Sequence, residues 1–217
     1  MACGALLAHG VILGPAIVSD AARALVDALP GAVAQDRWRR GPSVTPGLVV
    51  DLFTALTRID ARLADRAATH VLVWPATYDF DAILVPAVRE LVGSASLEPV
   101  VRLRLACVAH LDARVAQPLE APRDWARANA LTCACHHCAG LGRFLADPVN
   151  ARWVFKANEA ERGHVERTIR EARCDVDTRT ERRGRPYSLI CTKNEASYER
   201  LRAQRATDLA DLERLNI

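Results

Sequence analysis

The sequence predicts a mainly α-helical protein with a small α+β part in its second half. Apolar residues recur at helical spacing along most of the first half of the chain. Two short segments of the second half, 152–156 and 187–193, alternate as strands do. Between these patterns lies a dense cysteine run at 133–138, where Ala- and Leu-rich sequence gives way to Arg-rich sequence. The chain therefore divides into a helical region, 1–118, and a smaller module, 123–217.

The first region begins with a helical segment over residues 3–30 that is interrupted near Gly14-Pro15. Ser19-Asp20 offers an N-cap for a helix over Ala21–Leu29, because short polar side chains satisfy the free amides of a first helical turn. Residues 31–46 contain Gly, Pro, Ser and a basic cluster, so we expect a loop there.

Three longer helices are expected to follow. The first runs from Pro46 to about Val73, and the second covers about 80–92, with Pro86 as a kink or as its true start. The last spans 97–116, and its expected apolar stripe consists of Val101, Leu105, Val108 and Val115. Helices of this length joined by short loops predict helical hairpins, arranged as a short α-solenoid or as an irregular bundle.

The second module is predicted to follow the order cysteine run, strand, helix, strand, helix. Arg127–Leu131 has a helical pattern, and Leu141–Leu145 is expected to be a short helix. A helix over Glu159–Ala172 separates the two strands. Asn194 is expected to cap a final helix that ends near Leu215, with an apolar side formed by Tyr198, Leu201, Leu209 and Leu212.

Composition narrows the function classes. The net charge of +3 gives no strong attraction to nucleic acid or anionic membranes, and the excess lies after residue 119. No apolar run approaches the roughly 18 residues of a membrane span, so we expect no membrane partner. The first Arg is Arg23, so the start of the chain lacks the basic segment that opens a secretory signal. We therefore expect no such signal and a cytoplasmic, intracellular location. The apolar pattern begins without a capping signal, which predicts a piece of a longer protein.

The cysteine run, Cys133-Ala-Cys135-His136-His137-Cys138, predicts a structural zinc site. Structural zinc prefers four thiolate or imidazole ligands in a tetrahedron, and in a reducing compartment clustered cysteines favour metal over disulfides. Cys133, Cys135 and Cys138 can supply three thiolates from one tight turn. We predict His164 as the fourth ligand, and the alternatives are His136, His137, Cys174 and Cys191. Such a site would staple the module, because metal binding and folding are linked.

Other chemistries are less favoured. An iron–sulfur cluster or thiols without a ligand would also account for the run, and Cys135–Cys138 has the spacing of a redox pair. That pair lacks the usual preceding strand, because 127–131 is predicted helical. His110 and Asp112 with His164 match the outline of an iron triad, but residues two apart on a helix point about 200° apart. No catalytic residue is therefore predicted, and the chain is not expected to be an enzyme.

A basic stretch near residue 180 leaves two interpretations open. Arg179, Arg182, Arg183 and Arg185 could contact phosphates, with Gly184 allowing close approach of the backbone. Alternatively, they belong to a solvated turn and pair with Asp175, Asp177 and Glu181. The second interpretation is favoured, and the first makes nucleic acid a possible partner.

Residues 97–217 also resemble the C-terminal cysteine-rich region of large bacterial and fungal proteins, some described as 2-oxoglutarate/iron(II) oxygenase-like. The motifs that carry the resemblance are Cys133-x-Cys135-x2-Cys138, Arg143-Phe-Leu145, Asp147-Pro148, Trp153-x-Phe155, His164, Arg182-Arg-Gly-Arg-Pro-Tyr187, Cys191-Thr-Lys193 and Ala196-Ser-Tyr198. In that family the oxygenase domain lies upstream of the tail, and nothing in this sequence resembles it. The resemblance implies a zinc-binding accessory tail.

The sequence thus leaves three functions open. The first is a zinc-binding, non-catalytic interaction or accessory module that docks a partner protein or a domain of a longer parent chain. The second is a nucleic-acid-binding zinc module that uses the basic stretch. The third is the accessory tail of an oxygenase-like enzyme.

Overall fold

The computed structural model describes residues 15–31, 44–94 and 97–216. The expectations for residues 3–14 and most of the loop 31–46 lie outside these residues. Helices predominate, with one small antiparallel sheet, which confirms the predicted mainly α class with a small α+β part. The described residues up to Gln117, with those from Arg205 onward, form a first unit, and Pro118–Gln204 form a second. None of the described helices is long and apolar enough to cross a membrane.

Proline sets the start of most helices in the first unit. In chain order these are α1 (Pro15–Asp27), α2 (Pro46–Ile59), α3 (Ala61–Val73), a π-helical turn (Phe80–Leu84), α4 (Val85–Leu91), a 3-10 turn (Val92–Ser94) and α5 (Glu98–Val115). Four α-helices carry proline in the first turn, where its missing N–H would be unsatisfied anyway. The predicted cap at Ser19-Asp20 is therefore wrong, because α1 already begins at Pro15.

Asp60 breaks the single helix that was predicted from Pro46 to Val73. Its backbone is extended, with φ −157° and ψ 114°. Its carboxylate accepts a hydrogen bond from the backbone N–H of Arg62 at 2.8 Å and thereby caps α3. The apolar spacing continues across this break, so periodicity alone predicts one helix where the local capping bond produces two.

The core of the first unit uses a different face of α5 from the predicted one. Val100, Leu103, Cys107 and Leu111 are buried, whereas Leu105 is 57% exposed. The predicted stripe through Leu105 is thus wrong. Because α5 carries apolar residues on both faces, the sequence alone could not tell which face would pack against α3 and α4.

A buried ion pair anchors the last helix, α8 (Ala196–Leu215), whose residues from Arg205 onward belong to the first unit. Asp208 is 1% exposed and accepts two hydrogen bonds from Arg114, both at 2.7 Å. Arg114 also donates to both carboxylate oxygens of Asp81, at 2.6 and 2.8 Å. The predicted apolar side of this helix is only partly right, since Leu212 is buried but Leu201 and Leu209 are exposed.

We predict that Asp208→Ala lowers the free energy of unfolding by about 2–3 kcal/mol, because Arg114 loses its buried partner but keeps Asp81. Chemical denaturation of the full chain, followed by circular dichroism, measures the change. Glu213→Ala is the matched control on the exposed side of α8 and should change stability by less than about 0.5 kcal/mol. Equal effects of the two substitutions would contradict the anchoring role of Asp208.

The second unit packs two helices on a three-stranded sheet. Its elements are α6 (His136–Ala146), β1 (Arg152–Lys156), α7 (Glu159–Glu171), β2 (Val176–Glu181), β3 (Ser188–Lys193) and the first part of α8. All pairings are antiparallel and the strand order is β1-β3-β2, so β1 and β2 are edges. The small core lies between sheet and helices, and its buried members are Leu141, Phe144, Leu145, Val165, Ile169, Val176, Leu189 and Cys191.

Two sequence predictions for this unit are wrong. Residues 176–181 form strand β2, where the sequence predicted no strand and placed 179–181 in a turn. Cross-strand pairing with β3 stabilises this segment, whose one strongly apolar residue is Val176. Arg127–Leu131 is not helical. Buried Arg127 instead donates hydrogen bonds to the backbone carbonyls of Asp124, Ala126 and Asn194, which hold the segment in an irregular conformation.

Candidate metal centre

The cysteine run turns from an extended segment into the start of α6. Cys135 is the N-cap residue, with φ −65° and ψ 163°, and its Sγ accepts a hydrogen bond from the backbone N–H of Cys138 at 3.5 Å. Cys133 lies just before this cap, and Cys138 lies in the first turn. The cysteine side chains at positions 133, 135 and 138 are spread over six residues. The turn from loop to helix brings all three to one side of the chain.

Helix α7 supplies the fourth side chain, His164. Asn158 caps this helix through a capping box: its Oδ1 accepts from the Glu161 backbone N–H at 3.0 Å, and Glu161 Oε2 accepts from the Asn158 N–H at 3.3 Å. One turn after His164, the Thr168 hydroxyl donates to the His164 carbonyl at 3.0 Å and lies 3.6 Å from Cys138 Sγ. These contacts fix the helix and the histidine beside the cysteine run.

The three sulfur atoms surround a single imidazole nitrogen. His164 Nε2 lies 3.5 Å from Cys133 Sγ, 3.4 Å from Cys135 Sγ and 3.2 Å from Cys138 Sγ. All four potential ligand atoms lie within 4.8 Å of one another. Because one ring nitrogen carries a single proton or a single lone pair, it cannot make three ordinary hydrogen bonds at once.

Ligand spacing around a tetrahedral ion accounts for these distances. With metal bonds of about 2.3 Å to sulfur and about 2.0–2.1 Å to nitrogen, a sulfur and a nitrogen ligand lie about 3.6 Å apart. The observed distances of 3.2–3.5 Å are close to this value. The cluster Cys133, Cys135, Cys138 and His164 can therefore hold a metal ion, and the donor atoms present fit one.

The two thiols at the start of α6 have different electrostatic environments. The Cys138 backbone N–H, the largest cause, lowers the pKa of the exposed Cys135 thiol to about 6. Burial raises the pKa of the Cys138 thiol to about 11. Three closely spaced thiolates repel one another without a cation, so a divalent ion at their centre would stabilise the ionised set.

The alternative ligands lie elsewhere. Cys191 is buried in the sheet core, where burial raises the pKa of its thiol to about 12. His137 faces Glu161 at 3.5 Å and contacts the Phe155 ring. Cys174 and His136 do not belong to the cluster. His110 stacks on Phe80 in the first unit, with ring centroids 4.6 Å apart.

The basic stretch lies on the hairpin between β2 and β3. Arg179 is part of β2, and Arg182, Arg183 and Arg185 follow in the connection, where Gly184 has a φ of +71°. Among the described residues, none of these four arginines forms an ion pair, which contradicts the pairing that the sequence suggested. Asp175 instead accepts hydrogen bonds from the Ser197 backbone N–H and hydroxyl.

Comparison of the chain with protein-family models, curated proteins and solved structures returns no match.

We predict that the purified chain binds one metal ion and that His164→Ala weakens this binding by at least about tenfold, because one of four ligands is lost. His136→Ala is the matched control, since it removes an imidazole that lies within the run but does not belong to the cluster. Elemental analysis and competition with a metal indicator measure stoichiometry and affinity. Equal loss in both variants would show that the cluster is not the binding site.

Proposed function

We propose that the chain is a non-catalytic interaction module whose second unit is held together by a structural zinc ion. Cys133, Cys135, Cys138 and His164 would be its ligands. The convergence of three sulfur atoms on His164 Nε2 is the observation that supports this proposal.

The donor set favours zinc and a structural role. Soft thiolates select zinc, Cu(I) or iron–sulfur clusters, and a Cys3His set in a tetrahedral arrangement is typical of zinc. Catalytic zinc sites keep one position open for water or substrate, whereas four protein ligands close the coordination sphere. A closed site supplies folding energy and no reaction chemistry.

The small core of the second unit explains why a metal would be needed. Eight residues make up its buried apolar cluster, and α6 is only 11 residues long. Such a core contributes little stability, and small domains commonly add a metal to compensate. Zinc would join the cysteine run at the start of α6 to the middle of α7, two segments that are separated in sequence by strand β1.

An interaction role follows from a closed metal site on a small intracellular unit. The clustered thiols suit a reducing compartment, in which they remain available to metal. The partner would be another protein or a domain of a longer parent chain. The sequence resemblance to cysteine-rich accessory tails also favours an accessory role. In one version of this role, the chain is the accessory tail of an oxygenase-like enzyme.

We predict that purified protein carries about one zinc per chain and that chelation unfolds the second unit, because binding and folding are linked. Cys138→Ser should abolish zinc retention, whereas Cys191→Ser, the matched control at a buried thiol outside the cluster, should retain it. Elemental analysis gives the stoichiometry. Near-ultraviolet circular dichroism before and after chelation follows the packing of the aromatic side chains, among them Trp125 and Trp153 of the second unit. Absence of zinc from freshly prepared reduced protein would refute the proposal.

Nucleic-acid binding is a second candidate, supported by the unpaired arginines of the β2–β3 hairpin. Arg179, Arg182, Arg183 and Arg185 would contact phosphates, and binding would weaken steeply with salt. A salt titration with random single- and double-stranded DNA and RNA tests it. Undetectable binding at low salt would exclude this candidate and leave the zinc proposal unaffected.

A further inference from the structure

A cleft of about 430 Å³ lies in the second unit between α6 and the edge strand β1. One wall is the exposed side of α6, and the other is β1 with the turn that precedes it. No residue of α7, β2 or β3 lines the cleft, so it opens at the free edge of the sheet. Its volume lies within the range of about 300–1,000 Å³ that is typical of binding sites.

The backbone of β1 has unused hydrogen-bonding groups along this cleft. The Lys193 N–H donates to the Ala151 carbonyl at 2.8 Å, and the Ala157 N–H donates to the Tyr187 carbonyl at 3.3 Å. In an antiparallel ladder, residues that bond to the partner strand alternate with residues whose N–H and C=O groups point away from it. Because residues 151 and 157 bond to the β3 side, the N–H and C=O groups of residues 152, 154 and 156 point away from β3. They therefore face the free edge.

Two adjacent residues show that the cleft reaches this edge. Arg152 and Trp153 both line it, although consecutive side chains of a strand point to opposite faces. A cavity that touches both must extend around the rim of β1. An occupant of the cleft would consequently lie within reach of the unused backbone groups.

The cleft combines positive charge with an aromatic wall. Arg143 and Arg152 line it, and neither has an ion-pair partner among the residues that the structure describes. The one acidic side chain in the lining, Asp147, is already engaged: its oxygens accept hydrogen bonds from the Val149 and Asn150 backbone N–H groups and from Asn150 Nδ2. Asp147 keeps its negative charge, but the two arginines outnumber it, so the lining carries a net positive charge that favours an anionic ligand.

We propose that this cleft binds an extended acidic peptide, which adds to β1 as a fourth strand. Its backbone pairs with the outward groups of residues 152, 154 and 156, its acidic side chains meet Arg143 and Arg152, and an apolar side chain packs against Trp153. This inference rests on the proposed function, because the zinc ligands Cys135 and Cys138 hold the first turn of α6, from which His136 and His137 line the cleft.

Two other occupants fit less well. Trp153 already stacks on Phe144 and on Phe155, with ring centroids 5.8 and 5.1 Å away, so little ring face remains for a nucleic-acid base. A second copy paired through β1 would bring two strands carrying Arg152 and Lys156 side by side, and like charges on neighbouring strands destabilise pairing.

The test uses zinc-loaded full-length protein and a fluorescein-labelled peptide, Ser-Glu-Glu-Phe-Glu-Glu-Phe-Ser, which as an extended strand carries glutamate and phenylalanine on both of its faces. Fluorescence anisotropy measures Kd, and amide chemical shifts locate the peptide. We expect the Arg143→Glu/Arg152→Glu double variant to raise Kd by about tenfold or more. Arg58→Glu/Arg202→Glu changes the charge by the same amount at two exposed positions outside the cleft and should leave Kd unchanged. A lysine version of the peptide should bind at least about tenfold more weakly.

Backbone pairing is tested separately by removing a donor from each edge. Val154→Pro deletes an N–H that faces the free edge of β1 and should raise Kd by about tenfold. Thr178→Pro deletes the corresponding outward N–H of β2 and should not change it. If Val154→Pro fails to fold, N-methylation of every second peptide amide gives the same answer. Methylation of the amides that face β1 should abolish binding, and methylation of the other set should preserve it.

The outcomes separate this inference from the zinc proposal. Zinc content is measured on each sample; zinc-loaded protein that does not bind the peptide overturns the cleft assignment and leaves the zinc proposal standing. Peptide binding that is insensitive to the double variant, to Val154→Pro and to N-methylation also overturns it. So does an oligothymidylate that binds through Arg143 and Arg152 when the peptide does not, or self-association through β1 in sedimentation.

Discussion

Three sulfur atoms meet one imidazole nitrogen in the second unit, and the structure around them depends on that contact. The cysteine run lies at the junction between an irregular segment and α6, and the histidine lies in the middle of α7. Without a shared ion, this arrangement would place three ionisable thiols around one polar nitrogen. One of these thiols, Cys138, is also buried. A cation at the centre would turn this unfavourable cluster into a cross-link.

The two units gain stability in different ways. In the first, proline fixes helix starts, and a large apolar core is supplemented by the pair between Arg114 and buried Asp208. The second has a smaller core, and its short helices depend on capping, on the buried Arg127 and on the proposed metal. A function placed in the second unit, with α6 as one wall of a cleft, would therefore be sensitive to metal loading.

The sequence predicted much of this architecture, for identifiable reasons. The alternation at 152–156 and 187–193 and the helical spacing at 159–172 are local signals, and β1, β3 and α7 were found close to their observed bounds. The four side chains of the metal cluster were also named, since cysteine and histidine spacing is chemically restrictive. Asp60 and β2 were missed, because a capping bond and a cross-strand pairing overrode the apolar pattern. The buried faces of α5 and α8 depend on neighbouring elements, which periodicity does not encode.

X-ray absorption at the zinc edge of the protein as purified reads the ligands of the metal directly. We expect a four-coordinate zinc ion with three sulfur neighbours at about 2.3 Å and one nitrogen at about 2.0 Å. The His164→Ala variant should lose the nitrogen contribution of this histidine. A spectrum dominated by oxygen and nitrogen neighbours, or by two sulfurs or fewer, would rule out the Cys3His zinc site.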